Sequence, residues 1–365
     1  MVNFSYPASF NKDEVEAIVN LNAKFKNKLI RVKTFYGCLN PSVWPSARSP
    51  FNLPSVSPRK LKGYLTYLHK LGFVFEYTLN SPFMHGFETD PKKKNELIDF
   101  IKMIFGLGVD ELSVSSLSLM DIVTRKFRDH KLNISTVANI KNSAQLAQLR
   151  DYKINMLTPS IDVNREVPNL KRLLKLSKKM GLEIKLIVNS DCLYNCAFNK
   201  DHYYFVGLFN KSRFFDRDYF KRECIRKMIT DVDYILTSPC IRPEDLEFYR
   251  DLGVKSFKLN GRVRSREDNL FFLQTYMKGK FKGNFFSLWS GSDKSFWARL
   301  YYLNNRDLDG LSLYLANKFK YNGWLKEMKS RVRRRKIDPL NLASLDKTLI
   351  LEACDDIRTD ARNQE

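Results

Sequence analysis

Short apolar runs rich in β-branched and aromatic residues alternate along this chain with longer amphipathic stretches, the rhythm of βα units laid around a parallel sheet. The runs at 29–35, 73–79, 111–115, 132–135, 156–160, 184–188, 234–237 and 256–259 read as strands. Eight such strands are what a closed (β/α)8 barrel of the TIM type requires. Between them apolar residues recur at helical spacing, and the punctuation agrees. Ser57 and Pro58 supply an N-cap and a first-turn proline for a helix over 58–71 that stops at Gly72. Further helices are expected over 92–105, 143–150, 169–180 and 243–252. Three of them close on Gly106, Gly181 and Gly253, where a residue without Cβ lets the chain turn toward the next strand.

Beyond about residue 267 the strand signals fade, and 268–277, 295–304 and 311–329 read as helices. The expected division is a helical lead-in over 1–28, a barrel over 29–280 and a helical, basic extension over 281–365, whose last residues after Asp355 are polar and frayed in character. With 365 residues, 44% of them apolar and 13% aromatic, the chain has the core material for a large barrel and is not a disordered chain. It carries no apolar run long enough for a membrane span, and residues 1–12 lack the basic-then-apolar order of a secretory signal, so a cytoplasmic location is expected.

The formal charge of +22 suits an anionic partner, RNA or lipid headgroups, and equally suits lysines solvating the outer helix faces. Its densest stretch is Arg331, Arg333, Arg334, Arg335 and Lys336, next to a helix bearing Trp324; this reads either as an RNA or lipid contact or as a solvated arm.

Six cysteines in a chain of this length are too few for a disulfide framework, and four fall in one window: Cys192-x3-Cys196-x27-Cys224-x15-Cys240. Two follow the run 184–188 and one follows the run 234–237. Loops after barrel strands converge on one rim, so thiols distant in sequence can meet there. Four thiolates bind either zinc or an iron–sulfur cluster. Structural zinc usually uses paired short spacings, and the single short spacing here leans toward the cluster. Cys354 reads as a buried apolar side chain instead.

Other rim residues suit anion binding. Lys258, Arg262 and Arg264 follow the last strand, and guanidinium forks grip carboxylate or phosphate bidentately. Asp162 and Arg165 follow the fifth strand and are placed to clamp each other, closing the barrel end, or to clamp a ligand. His85 follows the second strand on the same rim. His202 has no partner histidine at metal-ligand spacing, and a supporting role suits it better than ligation. No Gly-rich phosphate loop, His-Glu-x-x-His helix or Gly-x-Ser-x-Gly elbow occurs, which removes support from most hydrolase and nucleotide chemistries.

Four segments together carry a family resemblance. They are Ile161-Asp162-Val163-Asn164-Arg165-Glu166; Val188-Asn189-Ser190-Asp191-Cys192-Leu193-Tyr194-Asn195-Cys196 with His202; Ser238-Pro239-Cys240-Ile241-Arg242-Pro243-Glu244-Asp245-Leu246; and Phe257-Lys258-Leu259-Asn260-Gly261-Arg262-Val263-Arg264-Ser265. In order and separation they resemble the U32 peptidase family over roughly residues 30–280. The last segment is similar to that family's Lys-Ile-Glu-Gly-Arg signature, with Asn260 where the family carries Glu.

The resemblance implies a barrel that, in several members, holds a [4Fe–4S] cluster on cysteines and assists oxygen insertion into RNA bases or a quinone ring. By position it assigns Cys192, Cys196, Cys224 and Cys240 as ligands, with Cys38 as an alternative, and it leaves a partner barrel subunit open. Other members carry a collagenase-like peptidase label. Three functions follow as expectations: an iron–sulfur barrel supporting hydroxylation of an RNA base or small aromatic substrate, a metal-dependent peptidase, and a non-catalytic RNA-binding or partner subunit.

Overall fold

Val2, Phe4 and Tyr6 recur at every second position and are all buried, which makes Val2–Pro7 a strand, β1. Seven more follow: β2 (Ile30–Gly37), β3 (Val74–Leu79), β4 (Glu111–Val114), β5 (Lys131–Ile134), β6 (Met156–Leu157), β7 (Glu183–Ile187) and β8 (Ser256–Lys258). All pair in parallel and in chain order, and β8 returns to β1 through Asn3↔Ser256, Phe4↔Phe257 and Ser5↔Lys258, closing the expected barrel. This is a computed structural model, and it describes residues 2–26, 28–39, 46–48, 53–208, 219–262, 264–315 and 318–334.

Two strand expectations change. The lead-in over 1–28 contains β1 as well as a helix, Lys12–Lys24, so the barrel begins at residue 2. The run 234–237 is helical instead, as Asp233–Leu236. Asp231 Oδ1 accepts from the Asp233 backbone N–H at 3.1 Å, and the Thr237 hydroxyl returns to the Asp233 carbonyl at 2.6 Å. So short an apolar run carries no decisive period, and local capping settles it.

The helices keep close to their expected bounds. Pro58–Lys70 is capped by Ser57, which accepts from the Lys60 N–H, and Val167–Met180 ends on Gly181 at φ 70°. Pro91–Gly106 runs through the expected stop, and the left-handed residue is Gly108 at φ 109°. The helix expected over 268–277 is Arg266–Lys278, directly after β8, and the expected extension over 281–365 contains Phe285–Ser290, Phe296–Leu300, Leu311–Leu315 and Lys318–Arg331. This C-terminal region packs on the barrel's last connection: Trp289 donates to Ser238 Oγ at 2.9 Å, Tyr276 to the Ile241 carbonyl at 2.6 Å and Tyr301 to the Ile229 carbonyl at 2.8 Å.

Strand alternation divides the core in two. Phe4, Phe35, Phe75, Leu112, Leu132, Ile184 and Phe257 are buried in a single apolar cluster with the surrounding helices. Their neighbours Glu76, Asn133, Lys185 and Lys258 bond between strands that are not paired, Glu76 of β3 reaching β5, β7 and β8, and Glu111 joins Asn133 from the adjacent β4. Each fully buried apolar side chain contributes about 1.5–3 kcal/mol, so the outer layer stabilises the barrel while the lumen is left for charge.

Candidate functional site

A small cavity of about 50 Å3, partly open to solvent, lies at the C-terminal rim. Among its lining residues are Tyr36, Arg48, Asn80, Ser190, Cys192, Tyr203, Lys258, Asn260 and Arg262. Lys258 is at the end of β8, and Arg262 follows it in the β8 loop. Arg262 donates to Thr78 Oγ1 at 2.7 Å, to Ser46 Oγ at 3.2 Å and to Cys38 Sγ at 3.2 Å. Arg48 donates to Asn260 Oδ1 at 2.8 Å, while its buried Nε has no hydrogen-bond partner among the described residues. Asn260 is itself fixed by Asn189, whose side chain bonds both its N–H (2.6 Å) and its carbonyl (2.7 Å). Gly261 is required here because an added Cβ would overlap the side chain of Asn269, whose amide holds the Gly261 carbonyl at 2.9 Å.

Beneath the cavity Glu76 accepts Lys185 and Lys258, each at 2.7 Å, and Asn133 at 2.9 Å; Asn133 also reaches Glu111 at 2.8 Å. Burial alone would raise the Glu76 carboxyl, yet the two ammonium groups outweigh it and hold the carboxyl far below the usual range. The Lys258 amine, 3.6 Å from the Tyr36 ring centroid, is drawn down to about 8 by burial and by the charges of Lys185 and Arg262, against the pull of Glu76.

With 234–237 helical, all four clustered cysteines belong to the single connection between β7 and β8. Cys192 and Cys196 lie on the loop after β7, Cys224 in helix Tyr219–Thr230, and Cys240 just before the turn Pro243–Asp245. Cys224 donates a hydrogen bond to the Cys196 sulfur. That bond, the Phe198 N–H and nearby His202 draw the Cys196 thiol down to about 6 against the opposing effect of burial. Cys192 is pushed up to about 12 by burial and Asp191, though it is near enough to feel the Cys196 charge. Cys240 is also pushed up to about 12, by burial, and hydrogen-bonds with Tyr276. Cys38 stands apart, against Arg262. The side chains thus place Cys196 against Cys224 with Cys192 nearby, and among the described residues no group of three or more His, Cys, Asp or Glu is placed to hold one metal ion. In donor type the four thiols suit a soft metal, and Cys196 with Cys224 is the pair in contact.

The Ile161–Arg165 turn explains why its motif accompanies the cysteines. Asp162 accepts the Asn195 N–H at 2.9 Å and pairs with Lys141 at 2.8 Å. Asn164 bonds the carbonyls of Ile187 (2.7 Å) and Pro239 (2.8 Å), and Arg165 bonds that of Ser238 at 2.8 Å. Asp162 and Arg165, expected to clamp each other or a ligand, tie down the two cysteine-bearing segments, Asp162 through the Asn195 N–H and Arg165 through the Ser238 carbonyl. Arg264 pairs with Asp191 at 3.3 Å and bonds the Ser290 carbonyl, so it joins the cysteine loop to the extension. His85 points to the Gly207 carbonyl at 3.2 Å and packs on Phe83, and His202 stacks on Phe220 beside Cys196.

Of the expected rim residues, Lys258, Arg262 and Cys192 line the cavity. Arg48, Glu76 and Lys185 were missed. Glu76 and Lys185 had a readable signal, each a lone charge within an apolar run, whereas Arg48 lies in a Pro- and Ser-rich stretch without one. In the basic run, Arg334 lies over the Tyr301 ring at 5.8 Å and Arg331 pairs with Asp307 at 3.7 Å. Arg335, Lys336 and Cys354 fall outside the described residues. No helix among the described residues is long and apolar enough to cross a membrane.

Comparison with known proteins agrees with the motif reading. The family model described as Peptidase family U32 matches residues 46–197. A protein of Methanocaldococcus jannaschii, the uncharacterized protease MJ1657, is 26% identical over 325 residues, which is 86% of this chain and 92% of that protein. Among solved structures, the U32 peptidase Mk0906 superposes with a TM-score of 0.53 over 72% of this chain and 93% of its own, at 10% identity, a likeness of fold.

Proposed function

Starting from a chain that is a relative of the U32 family, we propose that it is a barrel enzyme whose β7–β8 connection holds a [4Fe–4S] cluster beside the rim cavity. The reaction is a hydroxylation or related redox modification of an RNA base or a small aromatic molecule. The observation that carries this reading is the hydrogen bond between Cys196 and Cys224, thiols far apart in sequence that meet near Cys192, a wall of the cavity. Cys192, Cys196, Cys224 and Cys240 are the four thiols available to the cluster, with Cys38 as the alternative behind Arg262. When bound, such a group supplies one-electron transfer at a potential set by its surroundings.

The remaining residues bind and orient. Arg48, Lys258 and Arg262 favour an anionic portion of the substrate, and Tyr36 and Tyr203 offer ring faces to a planar one. Asp162, Asn164 and Arg165 fix the cysteine segments relative to β7. The peptidase reading draws only on the names of relatives. Anaerobic purification tests the proposal: iron and acid-labile sulfide should copurify and be lost in Cys196→Ala and Cys224→Ala. Iron bound equally by these variants and the unaltered chain would overturn the ligand assignment.

A further inference from the structure

The lumen holds a charge imbalance that the proposed redox role does not use. One carboxylate, Glu76 on β3, serves two amines, Lys185 on β7 and Lys258 on β8. Glu111 on β4 is occupied by Lys131 at 3.4 Å and by Asn133 of β5. On the cavity side Lys258 faces the Tyr36 ring of β2 and the Arg262 guanidinium, with Arg48 beyond, and no carboxylate is among the lining residues described. Where the U32 signature has Glu, Asn260 accepts from Arg48 without neutralising it. An ionised Glu76 neutralises the equivalent of one of its two amines, so protonating both Lys185 and Lys258 leaves a net positive charge in a buried site.

The geometry points to Lys258 as a nucleophilic amine that forms an imine with a small aldehyde or ketone carrying an anionic group, the anion resting on Arg262 and Arg48. The uncharged nitrogen attacks the carbonyl carbon. A C–N bond forms, the C=O π pair moves to oxygen, and nitrogen yields its protons as that oxygen departs as water, leaving C=N; no oxidant or reductant is consumed. With the Lys258 amine drawn down to about 8, about one-tenth is uncharged at pH 7, on the order of 10²-fold more than for an exposed lysine near 10.4. Arg262 is held by three side chains, which keeps its position fixed as the anion arrives.

The test uses the full chain at pH 7 with glyoxylate as the anionic aldehyde, borohydride as the trapping reductant, and peptide mass mapping as the readout. Labelling of Lys258 should exceed that of any other lysine by about tenfold or more. It should fall in Arg262→Met and with the uncharged aldehyde glycolaldehyde. Lys258→Arg, which keeps the charge but forms no imine, should abolish this label while the circular dichroism spectrum is unchanged. Labels spread over exposed lysines with none on Lys258, or equal labelling by the two aldehydes, would overturn the assignment. The step needs no iron: protein that takes up no iron on reconstitution but still labels Lys258 defeats the cluster reading alone, and iron-loaded protein that does not label defeats this reading alone.

Discussion

The lumen beneath the rim and the β7–β8 connection beside it solve opposite problems. In the lumen, charges on strands far apart in sequence are locked by short bonds, with Glu76 receiving Lys185, Lys258 and Asn133. In the connection, the reactive groups sit on a loop and a helix and are held mainly from behind, by Asn164, Arg165 and the extension. The lumen is therefore a fixed electrostatic base, while the connection is a mounting for thiols. Substitutions in the first should cost stability, and those in the second should change what is bound.

Glu76→Gln gives the largest expected stability loss, about 3–5 kcal/mol by urea unfolding, because it leaves two buried ammonium groups without their carboxylate. A loss below about 1 kcal/mol would place the network's weight elsewhere. Because the folded Glu76 carboxyl is held below its unfolded range, its contribution is fully present above about pH 4.3 and is lost as pH falls through the lower folded value. Glu76→Gln should flatten that acid limb.

Arg242→Ala comes next, at about 3 kcal/mol. Its buried guanidinium pairs with Asp245 at 2.9 Å and bonds the Asn305 carbonyl at 2.8 Å, so it joins the end of the cysteine connection to the extension. Unlike Glu76→Gln, it should also lower metal binding, which a measurement of bound iron alongside the melt would separate.

Gly207→Ala should cost about 2 kcal/mol, since the added Cβ would overlap Ser81 Oγ where helix Asn199–Leu208 meets the loop after β3. Arg264→Ala should cost no more than about 1 kcal/mol, because its Asp191 partner is partly exposed. A larger loss there would mean that the cysteine loop depends on the extension more than its contacts suggest.

The same contrast explains what the sequence revealed. The cysteine cluster was legible because rare residues at fixed separations stand out, with its Ile161–Arg165 motif beside it, but the sequence spread it over two strand ends where the fold has one connection. The lumen was legible residue by residue but not as a network: Glu76, Lys185 and Lys258 stand out as single charges in three strands, and only barrel closure makes them neighbours. Closure was itself misassigned at one strand. Val2, Phe4 and Tyr6 carry a clean two-residue period inside what is expected as a helical lead-in, and the short run 234–237 lacks the length to be the eighth strand. Arg48 could not have been found, because its role depends on Asn260, far away in the chain.

The central claim is that thiols of the β7–β8 connection grip one iron–sulfur centre. Iron and acid-labile sulfide analysis of anaerobically purified full-length protein, with the absorption spectrum before and after dithionite, tests it most directly. The account predicts brown protein with about four irons and four sulfides per chain and a visible band that bleaches on reduction. Colourless protein that neither contains iron nor takes it up on reconstitution would contradict it.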